Sequence, residues 1–212
     1  MTAAHYECSL HGRISGNLKS RLFDRLVGIC GTQPIPTFEH EIGFIPTTQT
    51  PEGPSRNDDV LLRLKSPINE KGPDKRQWQL CQLGHPETNR SYTVRPIFYS
   101  KFLNGDALKF MNVLGYKFAF EFAKKGNVFT YRDALKISIT QIFTLEKLHD
   151  ITSIKPFDNK DNFIVEILSC LTPKDGVENV CNTLKEFTGM LKGTLDLHHV
   201  EHLSLQNKIN YS

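Results

Sequence analysis

The sequence contains no apolar run long enough to span a bilayer, and its first thirteen residues mix polar and apolar side chains where a secretory leader would need an apolar stretch. Neither a membrane partner nor passage through the secretory route is expected. The five cysteines, Cys8, Cys30, Cys81, Cys170 and Cys181, include no CxxC pair and leave an odd total, which speaks against a disulfide framework or a zinc knuckle. Reduced thiols in the cytosol or nucleus fit better. Without a route to the glycosylation machinery, the acceptor patterns Asn89-Arg90-Ser91 and Asn210-Tyr211-Ser212 are read as chance matches. Charge of one sign is also scarce: 26 Lys and Arg against 23 Asp and Glu leave +3, spread along the chain without a basic block. Neutralising several phosphates takes a concentrated basic face, so direct nucleic-acid binding is not expected. Missing as well are a Walker A loop, a GxGxxG turn after a strand and a GxSxG elbow, which weakens the case for an enzyme.

What is present suits an ordered globular fold. Hydrophobic residues make up 39% and charged residues 23% of 212 positions. One domain over residues 1–212 is expected, with a core that needs no staple. Tyr6, Cys8, Leu10 and Ile14 alternate as in a half-buried strand; Leu18, Leu22 and Leu26 then mark a helix that Asn17 can cap and Gly31 can close. Phe38, His40, Ile42 and Phe44 form a second strand that stops at Pro46. Residues 46–59 hold three prolines, three threonines and no aliphatic or aromatic side chain, and read as a flexible loop. Val60–Lys65, Trp78–Leu83 and Tyr92–Tyr99 are further strands, the last interrupted at Pro96, which suggests an edge or a bulge. A short helix over Asp106–Leu114 ends at Gly115. Phe118, Phe120 and Phe122 alternate ahead of Gly126-Asn127, which reads as a two-residue turn returning Phe129 and Tyr131 and pairing Phe122 with Tyr131. Leu135 to Leu145 is a long strand, and Phe163–Leu171 looks apolar on both faces. Asp175 and Glu178 resemble a capping box for a helix with Val177, Val180, Leu184, Phe187 and Leu191 along one face. Residues 203–212 read as a frayed tail. Eight or more strands with short links and three amphipathic helices predict an α+β fold: a mostly antiparallel closed β-barrel with helices packed against it.

The candidates for chemistry are few. His40-Glu41 begins an HExxH match, but Phe44 stands where the second histidine would be needed, so the metalloprotease reading fails. His198, His199 and His202 are close in sequence, with His198 and His202 on one face if the segment is helical; no cysteine lies nearby, and they read as solvated histidines. Glu39 and Glu41 share the face opposite Phe38, His40 and Ile42, and Arg63, Lys65, Arg95, Lys136 and Glu166 also alternate away from apolar neighbours. On a barrel, such carboxylates could hold a divalent ion and such cations could clamp phosphates, as in a metal-dependent triphosphate or polyphosphate hydrolase of the tunnel-barrel type. The competing expectation is that these residues form the solvated outer face of half-buried strands. No residue is assigned a catalytic, cofactor or metal role.

The succession of segments resembles the Mediator subunit 18 family. The resemblance runs through Tyr6 to Gly12, Arg25-Leu26-Val27-Gly28-Ile29-Cys30, Phe38 to Phe44, Trp78-Gln79-Leu80, Leu83-Gly84, Leu114-Gly115-Tyr116 and Glu121 to Phe129. It implies an α+β fold built on a β-barrel and a non-catalytic role in relaying regulatory signals to RNA polymerase II from the nucleus. It also implies two partners within the Mediator head module, the related barrel of subunit 20 and a C-terminal helix of subunit 8. Permanent partners imply apolar surface left open on the isolated chain. The resemblance assigns no residue to those interfaces. It also brings the triphosphate tunnel enzymes into view as relatives in architecture; they carry a Glu-x-Glu-x-Lys pattern, which the opening strand lacks and which Glu39-x-Glu41 continues with Gly43.

Overall fold

The structure, a computed structural model, describes residues 5–47, 60–69, 76–158 and 161–200. Strand β1 (His5–Ser15) leads into helix α1 (Gly16–Cys30). The helix begins after Ser15, in extended backbone, rather than at Asn17; the Ser15 hydroxyl donates to the Asn17 side chain at 2.6 Å and caps no backbone group. Gly31 ends α1 as expected, with φ of 68° and its N–H on the Val27 carbonyl. Strands β2 (Ile35–Pro46), β3 (Leu62–Pro67), β4 (Gln79–Leu83) and β5 (Thr93–Lys101) follow. Helix α2 (Ala107–Val113) starts at Asp106, whose carboxylate accepts from the N–H groups of Leu108 and Lys109. Then come β6 (Tyr116–Tyr131), β7 (Leu135–Leu145), β8 (Ile154–Pro156), β9 (Asn162–Ser169), α3 (Val177–Leu191) and β10 (Leu197–His198).

All pairings are antiparallel, and β9 joins β7 to β1, so eight strands close in the order β1-β5-β4-β3-β2-β6-β7-β9. Short β10 takes over beside β1 where β5 ends, and β8 takes over beside β7 where β9 ends. Closure removes the sheet edges that would otherwise seek partners. The core lies outside the barrel. Leu22 and Leu26 of α1 and Leu184, Phe187 and Leu191 of α3 pack on the outward residues of β1, β6, β7 and β9, among them Ile14, Phe129, Ile137 and Val165. A second cluster sets Ala107 and Met111 of α2 against Ile42, Phe44, Leu62 and Leu64.

Several local expectations give way. Gly126-Asn127 is not a turn: β6 passes straight through it, pairing Gly126 with Thr37 of β2 and Thr140 of β7. The chain reverses at Arg132-Asp133, both at positive φ, and Tyr131 faces Leu135 instead of Phe122. Glycine is required at 126 by close approach, because a Cβ there would stand 2.0 Å from the Ile139 carbonyl oxygen. Pro96 marks no bulge but sits at a local sheet edge, where β5 pairs with β1 and its ladder with β4 has not yet begun. Its carbonyl accepts from Gly84 N–H beyond the last β4 pair, so its missing donor faces the side where β4 has already ended. The capping box of Asp175 and Glu178 does not form; a 3-10 turn over Lys174–Gly176 leads into α3, and Glu178 instead reaches Arg90. Val180 packs half-buried against this core as expected, and Cys181 joins the fully buried stripe of α3. Pro46 and Thr47 of the expected 46–59 loop are described; its remainder and the tail at 203–212 lie outside the described residues.

Candidate functional site

The polar residues expected on a solvated outer face line the barrel's interior. Helices pack on much of the outside, so the apolar residues of β1, β2, β3 and β7 turn outward to meet them and their alternating polar set faces the lumen, which Leu83, Val128 and Leu168 also line. Glu39, Lys65, Arg95, Lys136 and Glu166 surround a cavity of about 440 Å³. Glu41 and Arg63 lie on the same face and are ion-paired. All seven candidates named from alternation are therefore brought together, and β9 carries apolar residues on both faces as expected, with Glu166 the charged exception on the inner one beside Ile164 and Leu168. Glu7, Lys101 and Lys124 also line the cavity. Their signal was present in the alternation of β1 and the C-terminal half of β5; Lys124 was hidden by the misplaced turn.

The lumenal carboxylates are held by cations. Glu41 is almost fully buried, bonded to the Arg63 guanidinium and 3.3 Å from Lys65 Nζ. Burial alone would raise its carboxyl, but Lys65, Arg63 and Lys124 outweigh that and hold it at about 2. Lys65 mirrors this: burial would favour its neutral form, yet Glu41 pushes its ammonium above the ordinary lysine range. Lys124 donates to both oxygens of Glu166 at 3.0 and 2.9 Å. Burial would raise Glu166, and Lys124 with His11 brings it below the usual carboxylate range. Glu7 behaves in the opposite way, because burial lifts it further than Arg95, 3.6 Å away, lowers it. Burial also lowers His11, favouring the neutral imidazole. With Glu41 locked between Arg63 and Lys65, the proposed pair of ion-binding glutamates is reduced to Glu39. Among the described residues, no three His, Cys, Asp or Glu side chains converge in a metal-binding group.

Outside the lumen, His40 is fully buried and satisfied at both nitrogens. Nδ1 accepts from Arg76 at 2.9 Å, since arginine can only donate, and Nε2 donates to Glu121 at 2.9 Å. Glu121 also accepts from His149 N–H. His40 is thus a structural histidine. His198 sits in β10, not a helix, and is exposed together with His199; His202 lies outside the described residues.

Among the described residues, the outer surface carries an open apolar groove beside α2. Leu103 and Val113 are each 88% exposed, and with Leu80, Phe102 and Phe110 they line a groove of about 700 Å³ between the end of β5 and the helix. Leu114 adds a further exposed leucine at the helix end. Side chains of this kind in a contiguous strip mark surfaces that bind other molecules.

A closed barrel with ion-paired lumenal carboxylates and an uncovered apolar groove outside defines a scaffold with binding surfaces. Comparison with known proteins names its family. Residues 6–208 match the model of the Med18 protein family, and the chain belongs to that family. It is 28% identical to Mediator of RNA polymerase II transcription subunit 18 of Drosophila melanogaster, over 94% of this chain and 88% of the relative. A chain in the structure of the Schizosaccharomyces pombe Mediator head module is similar in fold, with a TM-score of 0.78, 20% identity, and coverage of 92% of this chain and 98% of that one. A mimivirus capping enzyme triphosphatase shares the fold at a TM-score of 0.52 with 10% identity, covering 91% of this chain and 90% of the other. That likeness is one of barrel architecture alone. As a family of Mediator subunits, this is a class of transcription coactivator components and not of enzymes.

Proposed function

We propose that the chain is a nuclear, non-catalytic subunit of the Mediator head module, one barrel domain that docks neighbouring subunits and helps relay regulatory signals to RNA polymerase II. Family membership supports the assembly, and the apolar groove beside α2 supports docking. Subunit 20 and the C-terminal helix of subunit 8 are the partners this reading names. A helix presenting apolar side chains at i, i+3 and i+7 has the chemistry to fill a groove lined by Leu103, Phe110 and Val113. The observation that carries the reading is the 88% exposure of Leu103 and Val113, which line one apolar groove. Burying such a side chain contributes roughly 1.5 to 3 kcal/mol, so Leu103→Asp with Val113→Asp should weaken partner binding at least about tenfold. Circular dichroism should remain unchanged, because both residues are solvent-exposed. Undiminished capture of both partners by a folded double variant would remove the groove from the docking surface.

A further inference from the structure

We propose that the barrel lumen binds a small oligophosphate, an anion carrying two or three phosphate groups, without hydrolysing it. The site is independent of the apolar groove and of the subunit-docking reading. Its first support is charge. Five cations line the cavity against three carboxylates, and the Glu41–Arg63 pair beside them cancels internally. Two of the five, Lys101 and Lys136, make no ion pair among the described residues. They project from β5 and β7 into the same solvent-reached cavity, where clustered positive charge attracts an anion.

The second support is a set of buried polar atoms without partners. Thr140 lines the cavity at 2% exposure, and its Oγ1 has no hydrogen bond. Ser9, two residues from Glu7 on the same face of β1, is equally buried with Oγ unpartnered, and Arg95 Nε lacks an acceptor. Leaving a buried polar group unsatisfied costs on the order of 1 to 3 kcal/mol, so several in one wall indicate a missing partner. Arg95 Nε can only donate and the two hydroxyls can donate, so an acceptor-rich partner suits them. Phosphate oxygens accept from lysine, arginine and hydroxyl alike. A volume of about 440 Å³ lies within the range of small-ligand sites and holds more than a single phosphate. Hydrolysis does not follow, because Glu41 and Glu166 are already bonded to arginine and lysine, which leaves Glu39 without a second carboxylate to share a divalent ion.

The test is isothermal titration of the full chain with inorganic tripolyphosphate at physiological salt, repeated with ATP and with inositol hexakisphosphate. We expect micromolar binding of tripolyphosphate at one site per chain, with phosphate release absent. Binding of ATP with similar affinity identifies a linear phosphate chain as the recognised element; preference for the inositol ligand over tripolyphosphate contradicts a site for two or three phosphate groups. Lys101→Met with Lys136→Met should weaken binding at least tenfold while keeping the melting temperature, since both side chains are exposed and hold no ion pair among the described residues. Lys185→Met, on the exposed face of α3, removes a charge elsewhere and should leave affinity within about twofold. No binding at millimolar tripolyphosphate overturns the proposal. So does a Lys185→Met loss equal to that of the lumenal variant, which would reduce the effect to surface charge.

Discussion

Glu41 is the residue on which the lumen's electrostatics turn. Replacing it with glutamine leaves Arg63 and Lys65 partly buried beside each other without their shared counter-ion, and breaking a buried pair in this way costs about 3 to 5 kcal/mol. Urea unfolding of Glu41→Gln should show that loss; a change below 1 kcal/mol would mean that the cations find solvent unaided. The same residue sets a pH dependence. Its carboxyl falls from 4.5 to about 2 on folding, so its contribution is complete above pH 4.5 and is lost as pH falls toward 2, amounting to about 3 kcal/mol. Glu7 works with the opposite sign: its folded value is raised, so its ionisation above that value weakens the fold and partly offsets Glu41 near neutrality. Two glycines make a sharper contrast. Gly126→Ala drives a Cβ into the Ile139 backbone and should destabilise by 1 to 3 kcal/mol or more on the order of overpacked cores. Gly28→Ala, in the middle of α1 with nothing within 4 Å, should stabilise by about 0.5 to 1 kcal/mol. Melting temperatures of the pair, moving in opposite directions, check both.

At the scale of elements, most strands and all three helices were legible because burial imposes a period. Leu22 and Leu26, or Leu184, Phe187 and Leu191, repeat as a helix face must, and Phe187→Ala should cost about 3 to 5 kcal/mol since its ring is fully buried against Tyr131. What could not be read was anything decided by a distant neighbour. The Gly126-Asn127 pair carries the local chemistry of a hairpin turn, yet the approach of β7 makes the same glycine a packing requirement inside a long strand. Arg132-Asp133 turns the chain with no glycine at all. The capping positions shifted for a similar reason, with Glu178 drawn to Arg90 eighty-eight residues away.

Across the whole molecule, closure reverses the ordinary sense of alternation. In an open half-buried sheet the polar face meets water, and on that rule Glu39, Arg63, Lys136 and Glu166 belonged outside. Once β9 joins β7 to β1 and helices pack on the outward apolar residues, the same alternation turns these charged side chains into the interior. The residues of the site were thus visible in the sequence while their side of the wall was not. The apolar groove was less legible, because Leu103, Phe110 and Val113 look like any other helix and strand residues until α2 is seen to leave them uncovered. The central claim is membership of a Mediator assembly through permanent contacts. Affinity purification of the tagged chain from its native cells at moderate salt, read by mass spectrometry, tests it most directly. The account predicts stoichiometric recovery of other Mediator subunits, with subunits 20 and 8 retained at the highest salt. Recovery of a stable monomer free of Mediator subunits would contradict it.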